Sequence, residues 1–201
     1  EGKGRSVSSI FIGGGTPSVL DAGFIGEILN RIRNKFQIQN DAEITIEANP
    51  GTADYGKLQA YRDYGINRLS IGLQSPDDRE LKILGRIHNY EQFLETYKKA
   101  RKAGFDNINV DLMSAIPDQT YKGWEKNLRT VAELEPEHIS AYSLIIEEGT
   151  PFAARQLNLP DEDTEYNMYE ATARILKEYG YKQYEISNYA KRGMACRHNV
   201  G

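Results

Sequence analysis

Cysteine is almost missing from this chain: Cys196 is the single one in 201 residues. One thiol excludes an internal disulfide and any cysteine-rich metal or iron–sulfur site built by this chain alone. Long apolar runs are also missing. Nothing approaches the about 18 consecutive apolar residues of a membrane helix, and no signal-peptide pattern is present, so no transmembrane segment is expected and the cytoplasm is the simplest address. Charge of one sign is lacking too, with 25 Lys and Arg interspersed among 29 Asp and Glu for a formal net charge of −4. Without a basic stripe, no nucleic-acid partner is expected. No two of the three histidines show metal-ligand spacing, no lysine stands at a strand end for Schiff-base chemistry, and no nucleophile elbow occurs. What remains is ordinary globular composition, 39% hydrophobic and 27% charged, enough for one domain with a sizeable core.

The chain is organised around Ile10-Phe11-Ile12-Gly13-Gly14-Gly15-Thr16-Pro17-Ser18. An apolar run that ends in three glycines and is followed by a helical pattern reads as a buried strand feeding a tight turn. Consecutive glycines allow unusual backbone angles and leave N–H and C=O groups open to a small polar ligand. The alternative is a strand-to-helix turn in which glycine only relieves crowding. A phosphate-binding loop would need Lys-Ser or Lys-Thr after the last glycine, and the dinucleotide fingerprint would need glycine where Ser18 stands. Neither fits.

Downstream, strands and helices alternate. Helical spacing of Phe24, Ile25, Ile28, Leu29, Ile32 and Phe36 after a possible cap at Asp21 predicts a first helix. Period-2 patterns predict strands over residues 43–48, 68–75, 108–113 and 138–145, and helices are expected over 52–64 and 90–103, from about Trp124 to Leu134, and over 162–179. Residues 184–188 form a possible sixth strand. Such alternation with short connections implies a parallel sheet with right-handed crossovers, either an open doubly wound sheet or a (β/α) barrel. Gly13 to Gly15, Glu47 with Asn49, Gln74 and Asp111 all fall at the C-terminal ends of successive strands. Several strands contributing to one rim favours a partial barrel.

Glu47 and Asp111 follow alternating segments in which an inward acid is costly unless paired. Each is suited to a cationic ligand group, or else to a structural ion pair with Arg68 or Arg86. Gln74 suits a ribose or a carboxylate, unless it only organises a loop, and Arg86 is a fork donor for a carboxylate. His88 reads as a hydrogen-bonded loop residue. The rim therefore reads as a surface for a zwitterionic, ribose-containing molecule, with no reactive group of its own.

Six segments occur in the order found in one family: Gly13-Gly14-Gly15-Thr16-Pro17-Ser18, Glu47-Ala48-Asn49-Pro50-Gly51, Ser70-Ile71-Gly72-Leu73-Gln74-Ser75, Leu84-Gly85-Arg86-Ile87-His88, Asp111-Leu112-Met113 with Ile116-Pro117-Asp118-Gln119-Thr120, and Cys196-Arg197-His198-Asn199. Together they resemble the radical S-adenosylmethionine family, in particular the oxygen-independent coproporphyrinogen-III oxidase-like proteins and their heme chaperone branch. The resemblance implies that Gly14 and Glu47 contact a cluster-bound S-adenosyl-L-methionine. Gly15, Thr16, Gln74, Arg86 and Asp111 match positions that hold a second such molecule in the oxidase. Glu-Ala-Asn-Pro at residues 47–50 and His198-Asn199 favour the chaperone branch, which implies heme binding through His198, with Cys196 as a second candidate, and transfer of heme to acceptor hemoproteins. The alternative is oxidative decarboxylation of coproporphyrinogen III. For Cys196 and His198 the plain reading is a free thiol and a surface histidine.

The family's Cys-x-x-x-Cys-x-x-Cys segment, which carries a 4Fe-4S cluster after the first barrel strand, does not occur in this sequence. The resemblance therefore implies one partial core domain, residues 1–201, with the first strand absent and truncation at both ends. It further implies no radical chemistry by the chain alone, and self-association through an open barrel edge.

Overall fold

Polar and apolar residues alternate along the central strands, and the alternation gives the sheet two faces with different uses. The computed structural model describes residues 6–150 and 152–201. In β3 (Arg68–Gln74), Leu69, Ile71 and Leu73 point to one side and are fully buried under helices, while Arg68, Ser70, Gly72 and Gln74 line the other. The same division recurs in β4 (Ile108–Ser114), where Ile108, Val110 and Leu112 alternate with Asn109, Asp111 and Met113. It recurs in β5 (His138–Ser143), where Ile139 and Ala141 alternate with His138, Ser140 and Tyr142. Side chains of a strand point alternately to its two faces, so the sequence specifies an apolar outer face and a polar inner one.

The outer face is covered by α1 (Ala22–Lys35), α2 (Tyr55–Asp63), α4 (Tyr90–Lys102), α5 (Tyr121–Ala132) and α6 (Glu162–Glu178). Ile25, Leu29, Leu58, Tyr61, Phe93, Trp124, Leu128, Met168 and Ile175 pack there in one contiguous core with the strand residues. Each fully buried aliphatic side chain stabilises by about 1.5–3 kcal/mol relative to an exposed one. Caps mark where these helices start: Asp21 accepts from the Gly23 N–H at 2.7 Å, and Asn89 and Gln92 form a reciprocal capping box. Three elements lie outside the sequence expectation: a 3-10 turn at Pro17–Val19, a short helix α3 (Asp78–Ile83) and a single helical turn at Arg197–Val200.

β1 (Ser6–Ile12), β2 (Gln37–Ala48), β3, β4 and β5 are parallel neighbours in that order. The sheet curls into a half-barrel, as the rim pattern predicts. Three expectations need correction. β1 is half-exposed rather than buried, because among the described residues it has a strand neighbour on one side only. β2 begins at Gln37, six residues before the predicted start, in a polar stretch whose strand character comes from pairing with Ser6 and Val7. The expected sixth parallel strand straddles a turn. Residues 182–190 form a hairpin of β6 (Lys182–Glu185) and β7 (Asn188–Ala190), with β7 antiparallel to β5. A two-residue connection permits only antiparallel pairing, since a parallel crossover needs a dozen or more residues.

Beyond the hairpin, α7 (Arg197–Val200) returns beneath the opposite side of the sheet. The Cys196 thiol lies 3.4 Å from Glu43 Oε1, the Arg197 N–H donates to the same oxygen at 3.0 Å, and His198 packs on the Phe11 ring with centroids 5.1 Å apart. This segment joins β1 and β2 to the β6–β7 hairpin across the inner face.

Candidate functional site

The glycine turn is shaped by an acid 33 residues away. Glu47 Oε2 accepts the Gly14 N–H at 3.0 Å, and a Cβ on Gly13 would stand 2.9 Å from the Glu47 carboxyl carbon and 2.8 Å from the Phe11 ring. Gly13 is thus required by close approach. Gly14 and Gly15 are required by backbone angle, with φ of +89° and +65°. Relief of crowding, the plain reading of the run, accounts for Gly13, while Gly15 lines a polar cavity.

Gly15, Thr16, Glu47, Gln74, Arg86 and Asp111 line one cavity of about 240 Å³, together with Asn49, Gly72 and Tyr142. Gly14 stands at its edge, tied to Glu47. Asn49 Nδ2 donates to Thr16 Oγ1 at 3.0 Å, joining the glycine turn to the end of β2. Gln74 ends β3 in a left-handed conformation, φ +73°, and its Oε1 accepts the Tyr142 hydroxyl at 2.8 Å. A non-glycine residue held at positive φ is strained by about 1–3 kcal/mol, and such strain gathers at functional positions.

Neither acid forms the structural ion pair with Arg68 or Arg86 that was the alternative reading; among the described residues their partners are neutral. Asp111 Oδ1 accepts Asn109 Nδ2 at 2.7 Å, and the Ser70 hydroxyl stands 3.5 Å from Oδ2. Burial pushes the Asp111 carboxyl up to about 6, against the pull of the Asn109 hydrogen bond and with help from the neighbouring Glu47 charge. Burial also raises the Tyr142 hydroxyl to about 12, with Asp111 adding to the shift. Two carboxylates without a basic partner suit an ammonium or sulfonium group, while Arg86 and Gln74 supply donors for a carboxylate or ribose. The donor set fits S-adenosyl-L-methionine.

An iron–sulfur cluster does not fit. Cys196 is the single cysteine, and among the described residues no three metal-ligating side chains come together. Cys196 is itself buried, and desolvation raises its thiol, which faces Glu43. His198 is exposed on the Phe11 ring, outside the cavity of the other site residues. His88 is the loop residue expected: it is buried, its Nε2 meets the Leu73 carbonyl at 3.2 Å, and desolvation lowers its pKa.

Sequence reading missed the polar layer below this cavity. His138 Nδ1 lies 2.6 Å from Asn109 Oδ1, His138 Nε2 lies 2.7 Å from the Tyr184 hydroxyl, and Ser140 bridges Asn109 and Asn188 at 3.1 and 2.9 Å. The Tyr184 oxygen also accepts the Cys196 N–H at 3.2 Å and Asn199 Nδ2 at 3.1 Å. The signal was present in the polar residues at every second position of β3, β4 and β5.

A curled parallel sheet with its helices outside and a polar cavity at the strand ends defines the class as a partial (β/α) barrel with its polar rim at the C-terminal ends of the strands. The Radical SAM superfamily model matches residues 1–131, and the chain belongs to that superfamily. It is 43% identical over 198 residues to the heme chaperone HemW of Escherichia coli (strain K12), covering 98% of this chain and 52% of that protein. To the heme chaperone HemW of Bacillus subtilis (strain 168) it is 38% identical over 199 residues, covering 96% and 52%. The chain thus spans about half the length of the curated relatives it matches. Among solved structures, coproporphyrinogen III oxidase (HemN) from Escherichia coli, a radical SAM enzyme, superposes with a TM-score of 0.84 at 31% identity, covering 94% of this chain and 44% of that one.

Proposed function

We propose that this chain is the core of a heme-binding chaperone of the radical SAM superfamily, which holds S-adenosyl-L-methionine at the strand ends and passes heme to acceptor hemoproteins. The observation that carries the heme assignment is His198: an exposed imidazole, set on the Phe11 ring and beside the inner cleft, in a chain similar to heme chaperones over nearly all its length. An imidazole is a competent axial ligand for heme iron. Cys196, buried against Glu43, anchors the segment that presents His198. In the cofactor cavity Glu47 and Asp111 would take the methionine ammonium, with Gly14 and Gly15 offering backbone groups, and Thr16, Gln74 and Arg86 would take the ribose hydroxyls. A 4Fe-4S cluster, for which this sequence holds no set of cysteine ligands, would supply the electron for cleavage of S-adenosyl-L-methionine. No such step belongs to the residues of this chain.

The test is a hemin titration followed by absorbance on wild type and His198→Ala. A Soret shift in wild type that is lost in the variant supports the reading, and equal shifts overturn the ligand assignment. The second reading, oxidative decarboxylation of coproporphyrinogen III, draws on the likeness to HemN. Protoporphyrinogen formed anaerobically by a longer protein containing this chain and a cluster would favour it.

A further inference from the structure

Below the cofactor cavity the inner face holds a second cleft of about 310 Å³, and Arg68 is set in its wall with Asn109, Ser140 and Asn188. Arg68 is 2% exposed, among the most buried large side chains of the molecule. Its Nε has no hydrogen-bond partner among the described residues. No carboxylate among them pairs with its guanidinium, although Glu47 and Asp111 line the same cleft. An ion buried without a counter-charge costs several kcal/mol even after relaxation, so such groups normally carry an ion pair or a full set of hydrogen bonds. This one has neither in direct contact among the described residues, and its field reaches across the cleft: it pulls Asp111 down without pairing with it, adds to the lowering of His138 and opposes the rise of Cys196.

The other walls explain why no protein carboxylate answers it. Glu43, on the neighbouring strand, is engaged by the Cys196 thiol and the Arg197 N–H. Asp111 is engaged by Asn109. The side chains nearest in the strand ladder, Thr45 by pairing and Ser70 by alternation, are neutral. A planar fork of donors in a low-dielectric wall matches one chemical group above others, a carboxylate held by two parallel N–H···O bonds.

We propose that Arg68 is a ligand-binding residue that receives the carboxylate of a molecule entering the half-barrel past Glu47 and Asp111. The carboxylate can come from the methionine end of S-adenosyl-L-methionine or from a propionate of a tetrapyrrole. Those two sources, unlike the carboxylate site itself, rest on the function proposed above. The sign pattern of the cleft orients such a ligand, with its anionic end at Arg68 and any cationic end near the two acids.

The experiment compares wild type with Arg68→Met and Arg68→Lys. Thermal melts are first run with and without malonate, a simple dicarboxylate. Wild type should gain melting temperature with malonate and Arg68→Met should gain none, while in buffer alone Arg68→Met should melt higher than wild type because an uncompensated charge has been replaced by an apolar chain of similar volume. Arg68→Lys, which keeps the charge but loses the fork, should fold like wild type and respond weakly. Equal malonate shifts in wild type and Arg68→Met overturn the proposal, as does an Arg68→Met protein that unfolds while Arg68→Lys keeps full malonate response. Titrations then separate the sources: S-adenosyl-L-methionine against its decarboxylated analogue, and hemin against hemin dimethyl ester. A tenfold or larger loss in Arg68→Met for one acid, with its carboxylate-free analogue unaffected, identifies the ligand. If malonate responds but neither acid binds wild type, the carboxylate site stands and the proposed function falls.

Discussion

His138 and Asn109 are joined by a 2.6 Å contact between Nδ1 and Oδ1, buried at the centre of the polar layer. Asn109 spends its amide hydrogens on Ser70 Oγ and Asp111 Oδ1, at 2.8 and 2.7 Å, so its oxygen is the acceptor. His138 therefore carries its proton on Nδ1, and Nε2 accepts from Tyr184. One neutral imidazole connects the segment bearing His198, through Tyr184, to Asp111 at the rim, through Asn109.

Burial, aided by the Arg68 charge, holds His138 down to about 3. The unfolded chain takes up its proton near 6.5. With the folded pKa depressed, this contribution is complete above 6.5 and is lost as the pH falls towards 3, amounting to about 2 kcal/mol by pH 5. His138→Gln should flatten the stability profile between pH 6.5 and 4 in urea titrations. A variant with the wild-type slope would remove His138 as its source.

Asp111 works in the opposite direction. Its pKa is raised from 3.8 to about 6, so its contribution to stability is complete below 3.8 and is lost as the pH rises through about 6. Ligand binding has the reverse sign, because a cationic group needs the carboxylate. The affinity for S-adenosyl-L-methionine should fall up to about tenfold per pH unit below 6. Calorimetry on Asp111→Asn should give weaker binding with no step near that pH. A step that persists would assign it to another group.

Gly13→Ala places a methyl group within 2.9 Å of Glu47 and 2.8 Å of Phe11. Overpacking of this kind costs about 1–3 kcal/mol, and the displaced carboxylate should reduce ligand affinity at least tenfold while the far-ultraviolet dichroism stays native. Unchanged melting and unchanged binding together would show that Glu47 does not need its present place.

Tyr184→Phe deletes the hydroxyl that donates to His138 and accepts from Cys196 and Asn199. An orphaned buried acceptor costs about 1–3 kcal/mol. Hydrogen exchange at the Cys196 amide should accelerate at least tenfold, and wild-type protection there would mean that Glu43 alone holds the segment.

Among the described residues β1 has one strand neighbour, β2, which leaves a backbone edge unpaired along Ser6–Ile12. Exposed edges pair with other chains. Sedimentation should give a weight-average mass that rises with protein concentration, and a strict monomer at every concentration would oppose edge pairing.

The parallel order of β1 to β5 was legible because each strand announces itself by period 2 and each helix by period 3.6. The cavity at the strand ends was legible for a different reason: its residues sit in short runs where polar side chains interrupt an apolar pattern. Arg68, Asn109, His138 and Tyr184 lie one or two turns of the pleat deeper. Each looks like a solvent-facing residue in sequence, because alternation alone does not say whether the polar face meets water or the inside of a barrel. The β6–β7 hairpin was misread since residues 184–188 are polar and strand-like across a turn that lacks glycine and proline.

The contact between Cys196 and Glu43 closes a loop of 153 residues. Long-range closure of this kind is entropically slow and follows local structure in folding. The helices and the first five strands can assemble while the inner face stays open, and the polar layer is sealed only when residues 196–199 arrive. During synthesis the inner face stays exposed to solvent until residues 196–199 have emerged.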